Sequence, residues 1–150
     1  MDPRPYTKAD EAECLEIFDT NTPTYFAPTE RKSFEDFLAT QPPTYFVLQH
    51  DRQILGAGGY CLSDNGAQAN LTWGMIRQDL HKQGLGRFLL MYRLREIAKA
   101  NTVQTVRVGT SQLTAAFFEK QGFKLASIQK DGYAPGLDRV ELLKKLTVCP

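Results

Sequence analysis

Two histidines, three cysteines and one tryptophan are all that 150 residues contain of those types. His50 and His81 stand far apart, and Cys14, Cys61 and Cys149 never fall in a C-x-x-C pair. No ligand set has the spacing of a zinc site, so no metal is expected. Scattered thiols in odd number fit a reducing compartment, with Cys61 read as a buried, inert thiol on a strand. An excess of either charge is also missing. The 18 basic and 17 acidic side chains leave a net charge of +1, which gives little attraction for nucleic acid or an anionic membrane. No apolar run approaches the roughly 20 residues that span a bilayer. The start Met1-Asp2-Pro3-Arg4-Pro5 is polar, unlike a secretory leader. A cytoplasmic protein with no membrane or nucleic-acid partner is expected. What is present is ordinary: 42% hydrophobic and 23% charged residues, enough for one globular domain over 1–150 with its core in about 4–146.

The pattern predicts a helix over Thr7 to Asp19, with Thr7 as cap and Cys14, Leu15, Ile17 and Phe18 apolar. A second helix opens at Pro28-Thr29, carries Phe34, Phe37 and Leu38 on one face, and ends before Pro42-Pro43. Three strands follow, Thr44 to Gln49, Gln53 to Leu62 and Ala67 to Ile76, joined by polar turns at His50-Asp51-Arg52 and Asp64-Asn65-Gly66. Gly84 to Ala100 reads as a long helix. Its expected apolar stripe is Leu90, Met91, Leu94, Ile97 and Ala98, with Arg87, Arg93, Arg95, Glu96 and Lys99 facing water. Strand, helix, strand and strand complete the chain at Thr102 to Val108, Leu113 to Gln121, Phe123 to Gln129 and Arg139 to Leu146. With a short strand near Arg4 to Tyr6, this is a mixed α/β fold with helices on the faces of a sheet.

One segment suggests chemistry. His81-Lys82-Gln83-Gly84-Leu85-Gly86-Arg87 follows a strand and opens a helix. Two glycines permit a tight turn and close approach of a ligand to the backbone. The unpaired N–H groups of the first helical turn then point outward at the positive end of the dipole. Such a segment can cradle a diphosphate, or the glycines can simply make the turn. It is neither the nucleotide P-loop nor the dinucleotide fingerprint, because both spacings are wrong.

Here the chain resembles the GNAT superfamily of acyl-CoA-dependent N-acetyltransferases. That family carries Arg or Gln, two residues, Gly, one residue, then Gly or Ala, between the fourth strand and the long third helix. Gly84 and Gly86 match, with His81 at the Arg/Gln position. A second family segment, Asn, then Tyr, then Glu-Lys-x-Gly-Phe, matches the frame from Ser111 to Phe123, with Ser111 for Asn and Phe118 for Tyr. The resemblance covers roughly Arg4 to Leu146. It implies a mostly antiparallel sheet of six to seven strands with four helices. It also implies acetyl-CoA as cofactor, held by Trp73, Gly74, Met75 and Ile76, by His81, Lys82, Gln83, Gly84, Leu85, Gly86 and Arg87, and by Ser111, Thr114, Phe117 and Phe118. The acceptor would be a small-molecule amine, with Tyr25, Phe26 and Tyr133 as pocket walls; a homodimer is left open.

The sequence departs from the family where a proton is handled. Many members use a Tyr at the position of Phe118 to protonate the departing thiolate, and a phenyl ring cannot. No general base stands out among Glu141, Asp131, Asp138 and Glu35; Tyr133, Asp138 and Glu141 are the candidates for a catalytic role that is left unassigned. An N-acetyltransferase acting on a neutral amine is therefore the first expectation, and a non-catalytic acyl-CoA sensor of the same fold the alternative.

Overall fold

The computed structural model describes residues 2–146; Cys149 lies outside them. Seven strands form one sheet in the order β1-β2-β3-β4-β5-β7-β6, with four α-helices. The elements are β1 (Asp2–Pro5), α1 (Glu11–Thr20), α2 (Arg31–Ala39), β2 (Tyr45–His50), β3 (Gln53–Ser63), β4 (Gln68–Ile76), α3 (Leu85–Ala98), β5 (Thr105–Thr110), α4 (Ala115–Lys120), β6 (Lys124–Ala134) and β7 (Leu137–Lys145). The order is the one expected. β1 with β2, β2 with β3, β5 with β7 and β6 with β7 run antiparallel, and β4 with β5 runs parallel.

The chain divides into two compact units, Met1–Tyr60 with Thr72–Glu96, and Cys61–Leu71 with Ile97–Pro150. The first is built on β2. Its expected apolar run is continuous because both faces of the strand are covered. Tyr45 and Val47 join a core of Cys14, Ile17, Phe18, Phe34, Leu38, Ile54, Ala57 and Met75. Leu48, on the other face, packs with Ile76 and Leu89. The 3-10 turn Lys8–Asp10 leads α1. Asp10 reaches back to the Thr7 N–H at 2.8 Å and accepts two hydrogen bonds from Arg4, at 2.9 and 2.8 Å. This ties β1 to the start of α1.

Three expectations need correction. α3 buries Leu89, Leu90, Arg93 and Ile97, while Ala98 is exposed. Arg93, expected to face water, turns inward because the strand residues opposite it are Gly58 and Gly74, which leave room for a guanidinium, and Nη1 reaches the Gly59 carbonyl. Cys61 is exposed rather than buried.

The third correction lies in the second unit. The segment Lys130 to Asp138, expected as a loop, belongs to the β6–β7 hairpin except for its turn at Pro135-Gly136. Asp131 accepts the Gly136 N–H at 2.7 Å, and Asp138 accepts the Asp131 N–H at 2.9 Å. Gln112 completes the clamp, donating to the Gly136 carbonyl at 2.7 Å and accepting the Asp138 N–H at 2.8 Å.

Candidate functional site

β4 is distorted at Trp73. This residue has φ 39°, a left-handed value that a bulky side chain adopts only when its surroundings enforce it. Two contacts do so. The Tyr45 hydroxyl donates to the Trp73 carbonyl at 2.7 Å. The indole packs among Phe34, Phe26, Phe37 and Phe18, at centroid distances from 5.0 to 6.5 Å. Met75 is buried with the same aromatic core and Ile76 in the cluster with Leu48 and Leu89. Gly74 is the one exposed residue of β4.

The chain leaving β4 is anchored to α1. Asn21, 2% exposed, donates through Nδ2 to the carbonyls of Ile17 and Ile76, each at 2.9 Å. His81 Nε2–H donates to the same Ile76 carbonyl at 2.9 Å. The Tyr25 ring meets the imidazole edge-on at 5.0 Å. Arg77 donates to the Ile54 carbonyl at 3.1 Å and to Glu16 at 3.2 Å. Residue 76 is thereby fixed before the glycine turn begins.

That turn has the conformation its glycines suggested. Lys82 and Gly84 lie at φ 65° and 83°, and a Cβ placed on Gly84 would meet nothing within 4 Å. The first i to i−4 bond of α3 runs from the Phe88 N–H to the Gly84 carbonyl, at 3.0 Å. The N–H groups of Leu85, Gly86 and Arg87 therefore precede the helical ladder. Lys82, Gln83, Gly84 and Arg87 are exposed; His81 and Gly86 are half-buried, and half-buried Leu85 packs on the Leu48 cluster. The result is an open helix N-terminus flanked by two cationic side chains, which suits a diphosphate.

In the second unit, Ser111 is buried and organises the start of α4. Its carbonyl accepts the Thr114 and Ala115 N–H groups at 3.2 and 3.1 Å, and its Oγ accepts the Leu113 N–H at 3.3 Å. The Thr110 and Thr114 hydroxyls bond to each other. Phe117 and Phe118 are both half-buried, edge to face at 5.1 Å, and Phe118 meets Phe123 at 5.4 Å. Tyr133 is half-buried beside Gly109. The Arg107 guanidinium bonds the Glu141 carboxyl and holds its pKa below the usual carboxylate range, a poor arrangement for a base at neutral pH. Asp138 is used in the hairpin clamp.

A family model for the GNAT acetyltransferase domain matches residues 41–125, more than half the chain. The chain belongs to the GNAT acetyltransferase family. No curated protein matches it by sequence. Solved GNAT structures resemble it over their whole length. An aminoglycoside 6'-N-acetyltransferase complexed with coenzyme A is 12% identical, with 100% of this chain and 99% of that one covered and a TM-score of 0.79. The ribosomal-protein-S18-alanine N-acetyltransferase of Escherichia coli is 18% identical, with 99% and 96% covered and a TM-score of 0.79. Ard1 of Thermoplasma volcanium is 14% identical, with 98% of each chain covered and a TM-score of 0.81. At these identities the likeness is one of fold.

Within this GNAT chain, the first unit brings together Trp73 with Phe26 and His81 with Tyr25. Phe26 also stacks on Phe18 at 5.0 Å, so it is as much core as wall. Three residues were missed from sequence: Asn21 and Arg93 in the first unit, and Gln112 in the second. Only Asn21 left a signal, an Asn directly after a helix, where its side chain can bond the last carbonyls. Among the described residues no group of three or more His, Cys, Asp or Glu could hold a metal, and no helix is long and apolar enough to cross a membrane.

Proposed function

We propose that this GNAT chain is a single catalytic domain that transfers an acetyl group from acetyl-CoA to the amine of a small molecule. The observation that carries this is the open turn at Gly84, φ 83°, leading into unpaired N–H groups at the start of α3. These groups, with Lys82 and Arg87 beside them, fit the diphosphate of coenzyme A. The exposed main chain at Gly74 suits an amide-rich arm lying along β4, as a peptide adds to a sheet edge. The carbonyls of Trp73 and Ile76 are already engaged by Tyr45, Asn21 and His81, so they position the strand rather than bind. When bound, acetyl-CoA supplies an activated acetyl group on a thiol whose pKa of about 8.5 lets it leave without an acid. Phe118 can then occupy the family's Tyr position. Tyr25 lines the acceptor side beside His81. The unpaired thiols of Cys14 and Cys61 suit a cytoplasmic setting.

Without a strong base the acceptor must arrive neutral. A lysine-like amine, pKa about 10.4, is neutral in about one molecule in 2,500 at pH 7, whereas an α-amino group, pKa about 7.7–8.0, is roughly 10% neutral. The expected acceptor therefore bears an α-amino, aromatic or heterocyclic amine. The test is CoA release with matched α-amino and ε-amino acceptors at pH 7 and pH 9. The α-amine should win at pH 7 and its advantage shrink at pH 9. Preference for the ε-amine at pH 7 refutes the acceptor class. No turnover with any amine, despite acetyl-CoA binding, selects the sensor alternative that the missing phenol at Phe118 allows.

A further inference from the structure

A charge buried in a protein is normally held by an opposite charge or a full set of acceptors, because leaving water costs several kcal/mol. Arg93 has neither. It is 4% exposed, and its Nε is buried with no hydrogen-bond partner. Nη1 donates to the Gly59 carbonyl at 3.4 Å, near the outer limit of a hydrogen bond. Burial lowers the pKa to about 10, and only the Tyr45 phenol acts in the other direction. That phenol already donates its own proton to Trp73. The side chain still carries a charge at pH 7, under-partnered.

The surroundings have been cleared for it. A Cβ on Gly58 would lie 3.1 Å from the guanidinium carbon and 3.3 Å from Nε. On Gly74 it would lie 3.0 Å from Nη2 and 3.2 Å from Nη1. Trp73 and Met75 point into the aromatic core, so the missing side chain of Gly74 would point the other way, at Arg93. Gly74 is also the exposed residue of β4. The Nη end of a buried cation thus lies against an exposed residue that has no side chain.

We propose that Arg93 is a buried donor site for the acyl carbonyl oxygen of the bound acyl-CoA, reached over Gly74. This rests on the proposed placement of the acyl-CoA arm along β4. A guanidinium has five N–H donors in a fixed plane, and one without a carboxylate partner keeps donors available for a ligand. A neutral carbonyl enters at little desolvation cost, and any negative charge that builds on its oxygen is stabilised strongly in so dry a place. A carboxylate in the core would have quenched that field.

The ligands that separate this from a structural role are acetyl-CoA, which has the acyl oxygen, and CoA, which lacks it. Calorimetry on the wild-type chain, Arg93→Met and Arg93→Lys measures both affinities, alongside thermal denaturation. Replacing an under-partnered buried charge by Met should leave the melting temperature unchanged or raise it. Acetyl-CoA affinity should fall at least tenfold while CoA affinity holds, and Lys, with a charge and a shorter reach, should recover part of the loss. If the Met variant does not fold, the Lys variant alone must show a selective loss of at least threefold. An unchanged ratio of the two affinities in the folded variants overturns the inference and leaves the acyl-CoA site standing. Failure of the wild-type chain to bind either ligand overturns both.

Discussion

Gly86 and Gly84 lie two residues apart, and substituting them should have opposite consequences. Gly86 is in the first turn of α3, where helix propensity favours almost any residue over glycine. Gly86→Val should therefore leave stability unchanged or raise it by about 0.5 kcal/mol. Its isopropyl group would stand over the N–H groups of Leu85 to Arg87, which precede the Phe88-to-Gly84 bond. Losing one charge-assisted hydrogen bond to a phosphate costs about 1.5–3 kcal/mol, or roughly 13- to 150-fold in CoA affinity. Gly84→Ala is the converse case. At φ 83° with nothing within 4 Å, its methyl clashes with no neighbour, but the backbone is strained. The cost is about 1–2 kcal/mol, a fall of about 2–8 °C in melting temperature for a chain of this length. Calorimetry with CoA and thermal denaturation read both quantities on each variant. CoA affinity within threefold of wild type in Gly86→Val refutes this helix terminus as the diphosphate site. A loss of affinity that merely tracks a loss of stability refutes blockage as its cause.

Asn21→Leu should lower stability by about 2 kcal/mol in urea denaturation, because the side chain gives up two buried hydrogen bonds, although His81 and Thr20 still serve the carbonyls it leaves. A change below 0.5 kcal/mol, on the order of measurement error, would mean these bonds do not anchor the chain leaving β4. Glu141→Gln should cost about 1 kcal/mol or less at pH 7, since the pair with Arg107 is partly exposed. The folded carboxyl titrates below its unfolded value of about 4.3, so the pair's contribution is complete above that pH and is lost as pH falls through the lower, folded pKa. The deficit of the variant should shrink on acidification; a deficit that grows would place its origin elsewhere.

Local signals were legible in the sequence because they act locally. Gly84 and Gly122 adopt the positive φ that a turn and a helix end require, and Phe34 and Leu38 are buried as the helical spacing indicated. The β6–β7 hairpin was less legible, since Pro135-Gly136 marks a turn but not how far the strands run on either side. Its turn is also held by Gln112, distant in sequence. Arg93 was the least legible of all. On its own helix an arginine beside Arg95 and Glu96 reads as solvated; what buries it is the absence of side chains at Gly58 and Gly74, on two strands earlier in the chain. Burial of a long charged side chain is decided by the space its partners leave.

The four acidic side chains that the sequence offered as candidate bases are each bonded within the fold. Glu35 pairs with Arg31, Glu141 with Arg107, and Asp131 and Asp138 close the hairpin turn. His81 spends one ring nitrogen on the Ile76 carbonyl. By contrast, the groups able to act on a negative charge are left available: the first N–H groups of α3, and an arginine in the core with a free Nε. A chain arranged in this way contributes little to proton transfer and much to a fixed positive field. On the proposed function, selectivity for amines of low pKa and sensitivity to Arg93 then have one origin, a site that stabilises charge on the acyl oxygen and leaves deprotonation of the amine to water.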